Sequence, residues 1–363
     1  MRAGAPRSSR MRLPLTTIRR TLTFRGRAGR SEFAVWFAIM MLVAMAGSAT
    51  DVLVAASGLT WYDYGRLAGV LASLPMTALV LRRLTDAGLP RWLLLAYVLP
   101  VLWFALVAVL VLRKARPNPR PVPIALRATA VAMILVTLLP IRYEPFFIPS
   151  SSMKPTLLIG DYLFADRLAY GLPCFGLCDG DRLFARAPER GDVILFHHPV
   201  TSEDFVKRVI ALEGETISVS QGVVSIGGVP LVQIPDGDFS EPVGVSPDAP
   251  HPRCANRPGP GEDCLKSRLV ERLPGGKSYR ILDIGPQALD DTRAYTVPEG
   301  HVFVMGDNRD NSADSRLGQA EGGVGMVPMD LIEGRFDRVV FSSTGWLYDP
   351  RHWRPERLWM QLE

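Results

Sequence analysis

Residues 306–316 have the sequence GDNRDNSADSR and directly follow the apolar run His301–Met305, which is typical of a β-strand. A polar stretch in this position is usually a solvated turn or a calcium loop. It lacks the central glycine and the distal glutamate of an EF-hand, which argues against calcium. Alone the stretch predicts only a turn, and it becomes specific when two earlier segments are considered with it.

Those two segments carry a candidate nucleophile and a candidate base. Residues 148–157 read IPSSSMKPTL, with three serines between prolines, and residues 204–210 read DFVKRVI, in which Lys207 interrupts an apolar strand. Phe205 and Val209 share a strand face with Lys207 because side chains alternate with period two. Each segment also has an ordinary explanation, a polar loop and an edge-strand lysine, and Arg208 interrupts the other face equally.

The chain after Ile141 has the composition of a β-rich domain. Glycine- and aspartate-containing turns separate short apolar runs that predict strands at Val193–Phe196, Phe205–Leu212, Thr216–Val219, Val223–Ile226, His301–Met305 and Arg338–Phe341. Pro230–Pro286 is dense in Pro, Gly and Asp, which predicts an irregular insertion. These features indicate a single mostly-β domain of about 220 residues.

Charge divides the chain of 363 residues into two unlike parts. The formal net charge of +5 is the difference between +15 in residues 1–143 and −10 in the remainder. The basic residues interleave with long uncharged apolar stretches, which argues against nucleic-acid binding. The uncharged stretches Phe33–Thr50 and Trp92–Leu112, and Ile124–Ile141 with its single Arg127, are long enough to predict membrane-spanning helices.

The topology of these segments remains open between two alternatives. Nine arginines and no acid in residues 1–30 predict a cytoplasmic N-terminus. Basic loops flank Trp92–Leu112 on both sides, so either this segment folds back at Pro100 or the shorter Leu67–Leu81 does not span. Either alternative gives an odd number of crossings and an external C-terminal part.

Four cysteines fit an external location. Cys174 and Cys178 are spaced C-x3-C, and Cys254 and Cys264 bracket a Gly/Pro-rich segment. An even count in an exported region favours disulfides over free thiols. A zinc site is the weaker alternative, because among the histidines only His251 lies near a cysteine.

The three polar segments together, in this order and spacing, resemble those of bacterial type I signal peptidases, which are membrane-bound serine proteases. The family pattern P-S-x-S-M-x-P-T-L matches Pro149–Leu157, its K-R strand matches Lys207 and Arg208, its G-D-[VI]-x-x-F strand matches Gly191–Phe196, and G-D-N-R-D-N-S-x-D-S-R matches Gly306–Arg316. The resemblance covers the chain from about Ile124 to Trp346.

This resemblance implies a Ser–Lys dyad without any metal or other cofactor, in which Ser152 is the nucleophile and Lys207 the general base. A lysine accepts a proton only when it is neutral, and burial among apolar side chains lowers its pKa. The resemblance further implies that Ser312 hydrogen-bonds and orients the lysine, and that the Ser150 hydroxyl and the Ser152 N–H form the oxyanion hole. It assigns structural support around the dyad to Asp307, Asp314 and Arg316. Ser151 stands where the family commonly has glycine.

The implied substrates are signal peptides of exported preproteins, cut after small residues in an Ala-x-Ala pattern. By motif position, the shallow apolar pockets that exclude larger side chains are lined by Phe146, Ile148, Leu157 and Val206. Only ten residues separate Ile141 from Ser152, which predicts a nucleophile close to membrane lipid. The implied location is the bacterial cytoplasmic membrane, with several spans and the catalytic domain on the external side.

Residues 22–112 resemble a second family, small bacterial membrane proteins of uncharacterised function with F-x-G-R-x-x-R-S-E-[FY] and R-R-L-x-D-x-G signatures. Its Arg/Glu/Asp cluster is interpreted as fixing topology and packing loops. The predicted fold is therefore an α-helical transmembrane part followed by a mostly-β catalytic domain. The predicted divisions are a basic cytoplasmic tail (1–21), a helical membrane domain (22–120), a transmembrane anchor (121–143), a β-rich serine peptidase domain (144–346, insertion about 230–286) and a basic, aromatic tail (347–363).

Two other functions stay open at this point. The chain can be a catalytically silent envelope module that keeps the fold, although it retains Ser152, Lys207 and Ser312 together. It can also be a Ser–Lys peptidase specialised for one secreted or conjugation substrate, which the active-site motifs do not distinguish.

Overall fold

The computed structural model describes residues 29–57, 64–89, 93, 106–107, 109–114, 142–173, 182–201, 203–243, 252–345 and 349–362. The chain separates into two compact units, residues 1–141 and 142–363, and each is described by itself. The predicted span Ile124–Ile141 and the cysteines Cys174 and Cys178 lie outside the described residues.

The first unit is helical over most of its described residues. Its helices Arg30–Ser57 and Tyr64–Ala87 contain the apolar runs Phe33–Thr50 and Leu67–Leu81. Apolar side chains from both helices form one buried cluster that includes Phe33, Trp36, Met76, Leu79, Leu81 and Leu84. Among the described residues, no helix has both the length and the apolar character needed to cross a membrane.

Charged side chains are also buried in this helical unit. Arg82 and Arg83 are fully buried, and Glu32 and Asp86 nearly so. Arg83 Nε donates to the Leu110 carbonyl at 2.8 Å, and Arg82 Nη1 lies 3.8 Å from Glu32 Oε1. Because buried charges require partners, these contacts account for the packing of the Arg/Glu/Asp cluster.

The second unit is built almost entirely of antiparallel strands. In chain order they are β1 (Tyr143–Phe147), β2 (Asp161–Asp166), β3 (Leu172–Pro173), β4 (Arg182–Leu183), β5 (Val193–His197), β6 (Asp204–Ala211), β7 (Thr216–Ser220), β8 (Val223–Ile226), β9 (Val229–Pro230), β10 (Val232–Pro242), β11 (Asp263–Arg272), β12 (Ser278–Asp283), β13 (Tyr295–Thr296), β14 (His301–Met305), β15 (Val327–Pro328), β16 (Ile332–Ser342) and β17 (Met360–Gln361). Short 3-10 helices occupy Arg309–Asn311, Gln319–Glu321, Met329–Leu331, Pro350–His352 and Pro355–Arg357.

These strands form one large sheet and three smaller ones. The large sheet has the order β1-β2-β16-β5-β6-β14-β15, with β17 paired to β16. The others are β10-β11-β12, β13-β7-β8-β9 and the pair β3-β4. Strands β5 and β6 therefore lie inside the large sheet, and β6 is buried from Lys207 to Ala211.

The strands predicted from short apolar runs are confirmed within a few residues, except at two places. β16 begins at Ile332, well before the predicted Arg338. The first half of this strand was missed because Gly334 interrupts its apolar pattern. A Cβ at Gly334 would lie 2.9 Å from the Asp166 carbonyl, so glycine allows the close approach of β2. β1 was not among the predicted strands, and its Pro145 is tolerated because β1 is an edge strand.

The prediction of an irregular insertion at Pro230–Pro286 is wrong, because this segment folds into the β10-β11-β12 sheet. Its register shifts between Pro235 and Asp238, where Gly237 has a φ of +79°. Several of its prolines and glycines do lie in turns, but Pro235, Pro242 and Gly237 lie on the edge strand β10 and at its bulge, where a sheet accepts them.

The C-terminal segment is joined to the large sheet. Beyond the β16–β17 pairing, Arg357 Nε donates to Asp161 Oδ1 at 2.9 Å, and Arg357 Nη2 donates to the Thr156 carbonyl at 2.8 Å. Asp161 is fully buried, so these bonds tie the end of the chain to the loop that follows Ser152.

Candidate active site

The loop between β1 and β2 carries Ser152, and the 306–316 segment holds that loop in place. Asn308 donates through its backbone N–H to the Ser152 carbonyl and through Nδ2 to the Ser151 carbonyl, both at 3.0 Å. Asn311 Nδ2 donates to Ser151 Oγ at 2.5 Å. Ser151 therefore anchors the loop through hydrogen bonds. Its backbone φ is not in the left-handed region, so this position does not require the glycine that the family commonly has.

Lys207 reaches Ser152 from β6. Lys207 Nζ lies 2.9 Å from Ser152 Oγ and donates to the Val206 carbonyl at 3.1 Å. The side chain is 3% exposed and its ammonium lies 5.3 Å from the centre of the Phe205 ring. Burial lowers the pKa of Lys207 to about 8, against the opposing effect of Asp314 and Asp307. A fraction of the lysine is therefore neutral at physiological pH.

Ser150 and Ser312 occupy different positions relative to the dyad. Ser150 Oγ lies 3.4 Å from Ser152 Oγ, on the exposed side. The expected hydrogen bond between Ser312 and Lys207 is not present among the described contacts: Lys207 donates to Ser152 and Val206, whereas the buried Ser312 hydroxyl interacts with Asp314 and helps to lower the pKa of that carboxyl. Gly306 lies beside both serines: a Cβ there would be 2.3 Å from Ser312 Oγ and 2.5 Å from the Ser152 carbonyl.

Buried ion pairs surround the dyad. Asp307 accepts from Arg208 Nε at 2.9 Å and from Arg208 Nη2 at 2.7 Å, and the guanidinium lies 4.1 Å from the centre of the Tyr279 ring. Asp314 accepts from Arg316 Nε and Nη2, both at 2.9 Å. Burial alone raises the pKa of Asp314, but Arg316 outweighs it and the net shift is downward.

The insertion sheet contributes residues that the sequence analysis missed. Glu241 on β10 pairs with Lys154, two residues after Ser152, and with Lys266 on β11 at 2.8 Å. Glu271 on β11 accepts from Arg309 Nη1 at 3.1 Å. These partners are far apart in the sequence, so no local pattern indicates them.

Of the four candidate cysteines, Cys254 and Cys264 form a disulfide, which joins the loop before β11 to the start of that strand. Next to it, Arg253 Nη1 donates to the Asp310 carbonyl at 2.8 Å. The bridge therefore holds a contact between the insertion and the 306–316 segment.

A cavity of about 250 Å³ opens beside the dyad. Its lining is mainly apolar and consists of Phe146, Ile148, Pro149, Ser150, Ser152, Met153, Asp204, Phe205, Val206, Lys207 and Ala313. Three of the four expected pocket residues thus line it. The fourth, Leu157, is fully buried in the cluster beneath, where it packs with Ile148 and Met153. We call this cavity the groove.

Comparison with known proteins identifies the family. Residues 122–341 match the family model described as signal peptidase, peptidase S26. This chain belongs to the S26 signal peptidase family. Accordingly, it is a peptidase. Residues 21–121 match a second family, described as a protein of unknown function (DUF805).

Individual S26 relatives are similar over the same region. A protein named signal peptidase I from Rickettsia typhi is 32% identical over 216 residues, which are 55% of this chain and 72% of that protein. The signal peptidase I of Rickettsia prowazekii is 31% identical with the same coverage. A crystal structure of a signal peptidase I from Enterococcus faecalis is similar at 23% identity and a TM-score of 0.23, covering 41% of this chain and 97% of that one.

Proposed function

We propose that the chain is a membrane-bound serine endopeptidase that removes N-terminal signal peptides from exported preproteins after small residues, with Ser152 as nucleophile and Lys207 as general base. The observation that carries the proposal is the distance of 2.9 Å between Lys207 Nζ and Ser152 Oγ, at a lysine that is almost fully buried. The relatives named signal peptidase I support the choice of substrate.

In the proposed reaction, neutral Lys207 accepts the proton of Ser152 as Oγ attacks the scissile carbonyl carbon. The carbonyl oxygen becomes an oxyanion, stabilised by the Ser152 N–H and the Ser150 hydroxyl. When the tetrahedral intermediate collapses, the C–N bond breaks and the Lys207 ammonium gives its proton to the leaving amine. Lys207, neutral again, then activates a water that hydrolyses the acyl ester and restores Ser152.

The groove supports selection of small side chains. An extended peptide can add its backbone alongside a strand, and alternate side chains then point into the groove. Phe146 and Val206 lie on its walls and Ile148 and Met153 continue the apolar lining toward Ser152. A cavity of about 250 Å³ shared by several residues of substrate leaves room for alanine-sized side chains.

We place the enzyme in the bacterial cytoplasmic membrane, with several spans and the peptidase domain on the external side. The uneven charge supports this topology, since the basic first part favours the cytoplasm. The disulfide between Cys254 and Cys264 fits an oxidising external compartment. The proposed domain boundaries are those of the sequence analysis, with a membrane anchor at residues 121–143 before the peptidase domain. We expect membrane lipid to surround this anchor and the helical domain of residues 22–120.

The test is cleavage of a preprotein with an Ala-x-Ala site by the full-length chain in detergent. Mass spectrometry of the product should locate the cut after the second alanine. Ser152→Ala and Lys207→Ala should each lower the rate by at least about 10³-fold. Lys277→Ala, at a half-exposed lysine outside the groove, is the matched control and should keep the full rate.

Undiminished cleavage in either dyad variant would remove that residue from the mechanism. If no preprotein is cut by the unaltered chain, the proposed function itself fails. The same assay with substrates from unrelated exported proteins distinguishes a general signal peptidase from one specialised for a single substrate.

A further inference from the structure

The groove carries one carboxylate, at the end away from Ser152. Among the described residues that line it, only Asp204 and Lys207 bear ionisable side chains. Asp204 is the first residue of β6, three positions before Lys207, and its side chain is 49% exposed. Asp204 shares a strand face with Val206, which also lines the groove. When Lys207 is neutral, as the proposed mechanism requires, Asp204 carries the remaining formal charge among the described residues that line the groove.

Two neighbouring strands hold this carboxylate in place. His197, the partner of Asp204 across the β5–β6 pair, has Nδ1 2.9 Å from Asp204 Oδ1 and Nε2 3.2 Å from Glu333 Oε1. Both carboxylates raise the pKa of His197 to about 9, so it is a cation at neutral pH. Glu333 is also paired with Arg167, which in turn pairs with Glu144, so the cluster holds three carboxylates and two cations and has a net charge of −1. His197 therefore weakens the Asp204 charge, but the cluster as a whole stays negative.

The strand spacing fixes which part of a peptide meets Asp204. Residues in a strand rise by about 3.3 Å each, so Asp204 lies about 10 Å along β6 from Lys207. Phe146 and Val206, the expected walls of the small-residue pockets, line the groove with it. A peptide extended from Ser152 past these walls therefore brings the fourth or fifth residue before the scissile bond to Asp204.

We propose that Asp204 forms an acidic subsite that favours cationic side chains, and disfavours acidic ones, at the fourth or fifth residue before the scissile bond. This inference rests on the proposed function, because it takes the peptide to lie along β6. It adds a charge preference to a site otherwise selected by size. The interaction is electrostatic at a half-exposed position, so its effect is a several-fold preference that salt weakens.

The experiment compares peptides that share one Ala-x-Ala sequence and differ only in Lys, Gln or Glu at the fourth or fifth position before the cut. The unaltered chain should have a kcat/KM about fivefold higher for Lys than for Glu, with Gln between. Asp204→Asn should bring this ratio close to one, and Asp204→Lys should invert it. Glu203→Gln, at the adjacent exposed carboxylate outside the groove, is the charge-matched control and should keep the original ratio.

Binding of the same peptides to Ser152→Ala, followed by fluorescence anisotropy, separates this proposal from the proposed function. If the unaltered chain cuts no peptide, the proposed function fails, while the ratio of dissociation constants for Lys and Glu peptides still decides the role of Asp204. Equal ratios in Ser152→Ala and in Ser152→Ala with Asp204→Asn would overturn the subsite. A ratio that falls in Glu203→Gln as much as in Asp204→Asn would also overturn it, because the preference would then belong to the general surface charge.

Discussion

The pH dependence of peptide cleavage tests the link between burial and catalysis. Burial lowers the pKa of Lys207 from 10.5 to about 8. At pH 7 a lysine with this pKa is neutral in about one molecule in ten, whereas at the ordinary pKa it is neutral in about one in three thousand. The buried position therefore supplies about 300 times more of the neutral base at pH 7.

We expect kcat/KM to follow this neutral fraction, because that constant reports ionisation of the free enzyme. Between pH 6.5 and 8 it should rise about 16-fold, and between pH 8 and 9.5 only about twofold. A lysine at the ordinary pKa would instead give a rise of about 30-fold over the second interval. The assay uses an Ala-x-Ala peptide that has no ionisable side chain in this range.

One other group near the groove titrates in the alkaline range, and a variant separates it. The pKa of His197 is about 9, and its partner Asp204 lines the groove. In His197→Gln the plateau above pH 8 should persist, because Lys207 causes it. A steady tenfold rise per pH unit up to pH 9.5 in both proteins would refute the burial argument, and so would a profile that is flat from pH 6.5 to 8.

Three further predictions concern the surroundings of the dyad. Ser150→Ala should lower kcat by about 10²–10³-fold with a smaller change in KM, measured by steady-state kinetics, because an oxyanion donor acts mainly in the transition state. Arg208→Ala should lower the free energy of unfolding by about 3–5 kcal/mol in urea denaturation, since it leaves Asp307 buried and unpaired, whereas the exposed Arg338→Ala should change it by less than about 0.5 kcal/mol. Replacing Cys254 and Cys264 by alanine should lower it by about 2–3 kcal/mol, as expected for a short disulfide loop, and a reductant should have the same effect on the unaltered chain.

Much of the β-rich unit could be predicted from local pattern. β8 (Val223–Ile226) and β14 (His301–Met305) have the bounds predicted from their short apolar runs. β6 was predicted in the same way despite two charged residues at its centre. Apolar runs identify β6 and β14 because the large sheet buries these two strands against apolar clusters on both faces, which selects apolar residues along most of their length.

The insertion shows why other parts could not be predicted. Glu241 meets Lys154 across 87 positions of sequence, and this contact depends on how β10 folds back over the active-site loop. A pattern of neighbouring residues holds no information about a contact between residues so far apart in the sequence. Pro235, Gly237 and Pro242, considered only with their sequence neighbours, indicate a loop, whereas the edge-strand position that makes them acceptable is a property of the assembled sheet.

The sequence motifs predicted which residues form the candidate site, but they did not predict all of the contacts between those residues. The motifs brought Ser152 and Lys207 together, and the structure has them within hydrogen-bond distance. Leu157 and Ser312 were expected to touch substrate and lysine, but Leu157 is buried below the groove and Ser312 Oγ makes no bond to Lys207. Motif position identifies a segment, whereas the direction of each side chain is set by packing around it.

The ion pairs around Ser152 and Lys207 bear on the proposed role of Lys207 as a base, because two carboxylates lie near this lysine. Asp307 and Asp314 both raise the pKa of Lys207, and unpaired they would oppose its burial more strongly. Each is bound by an arginine, Arg208 for Asp307 and Arg316 for Asp314. An ion pair acts at a distance as a dipole, whose potential falls off faster than that of a single charge, so the arginines weaken the carboxylate field at the lysine. Arg208, on the opposite face of β6 from Lys207, therefore supports the lowered pKa on which the proposed role of Lys207 as a base depends.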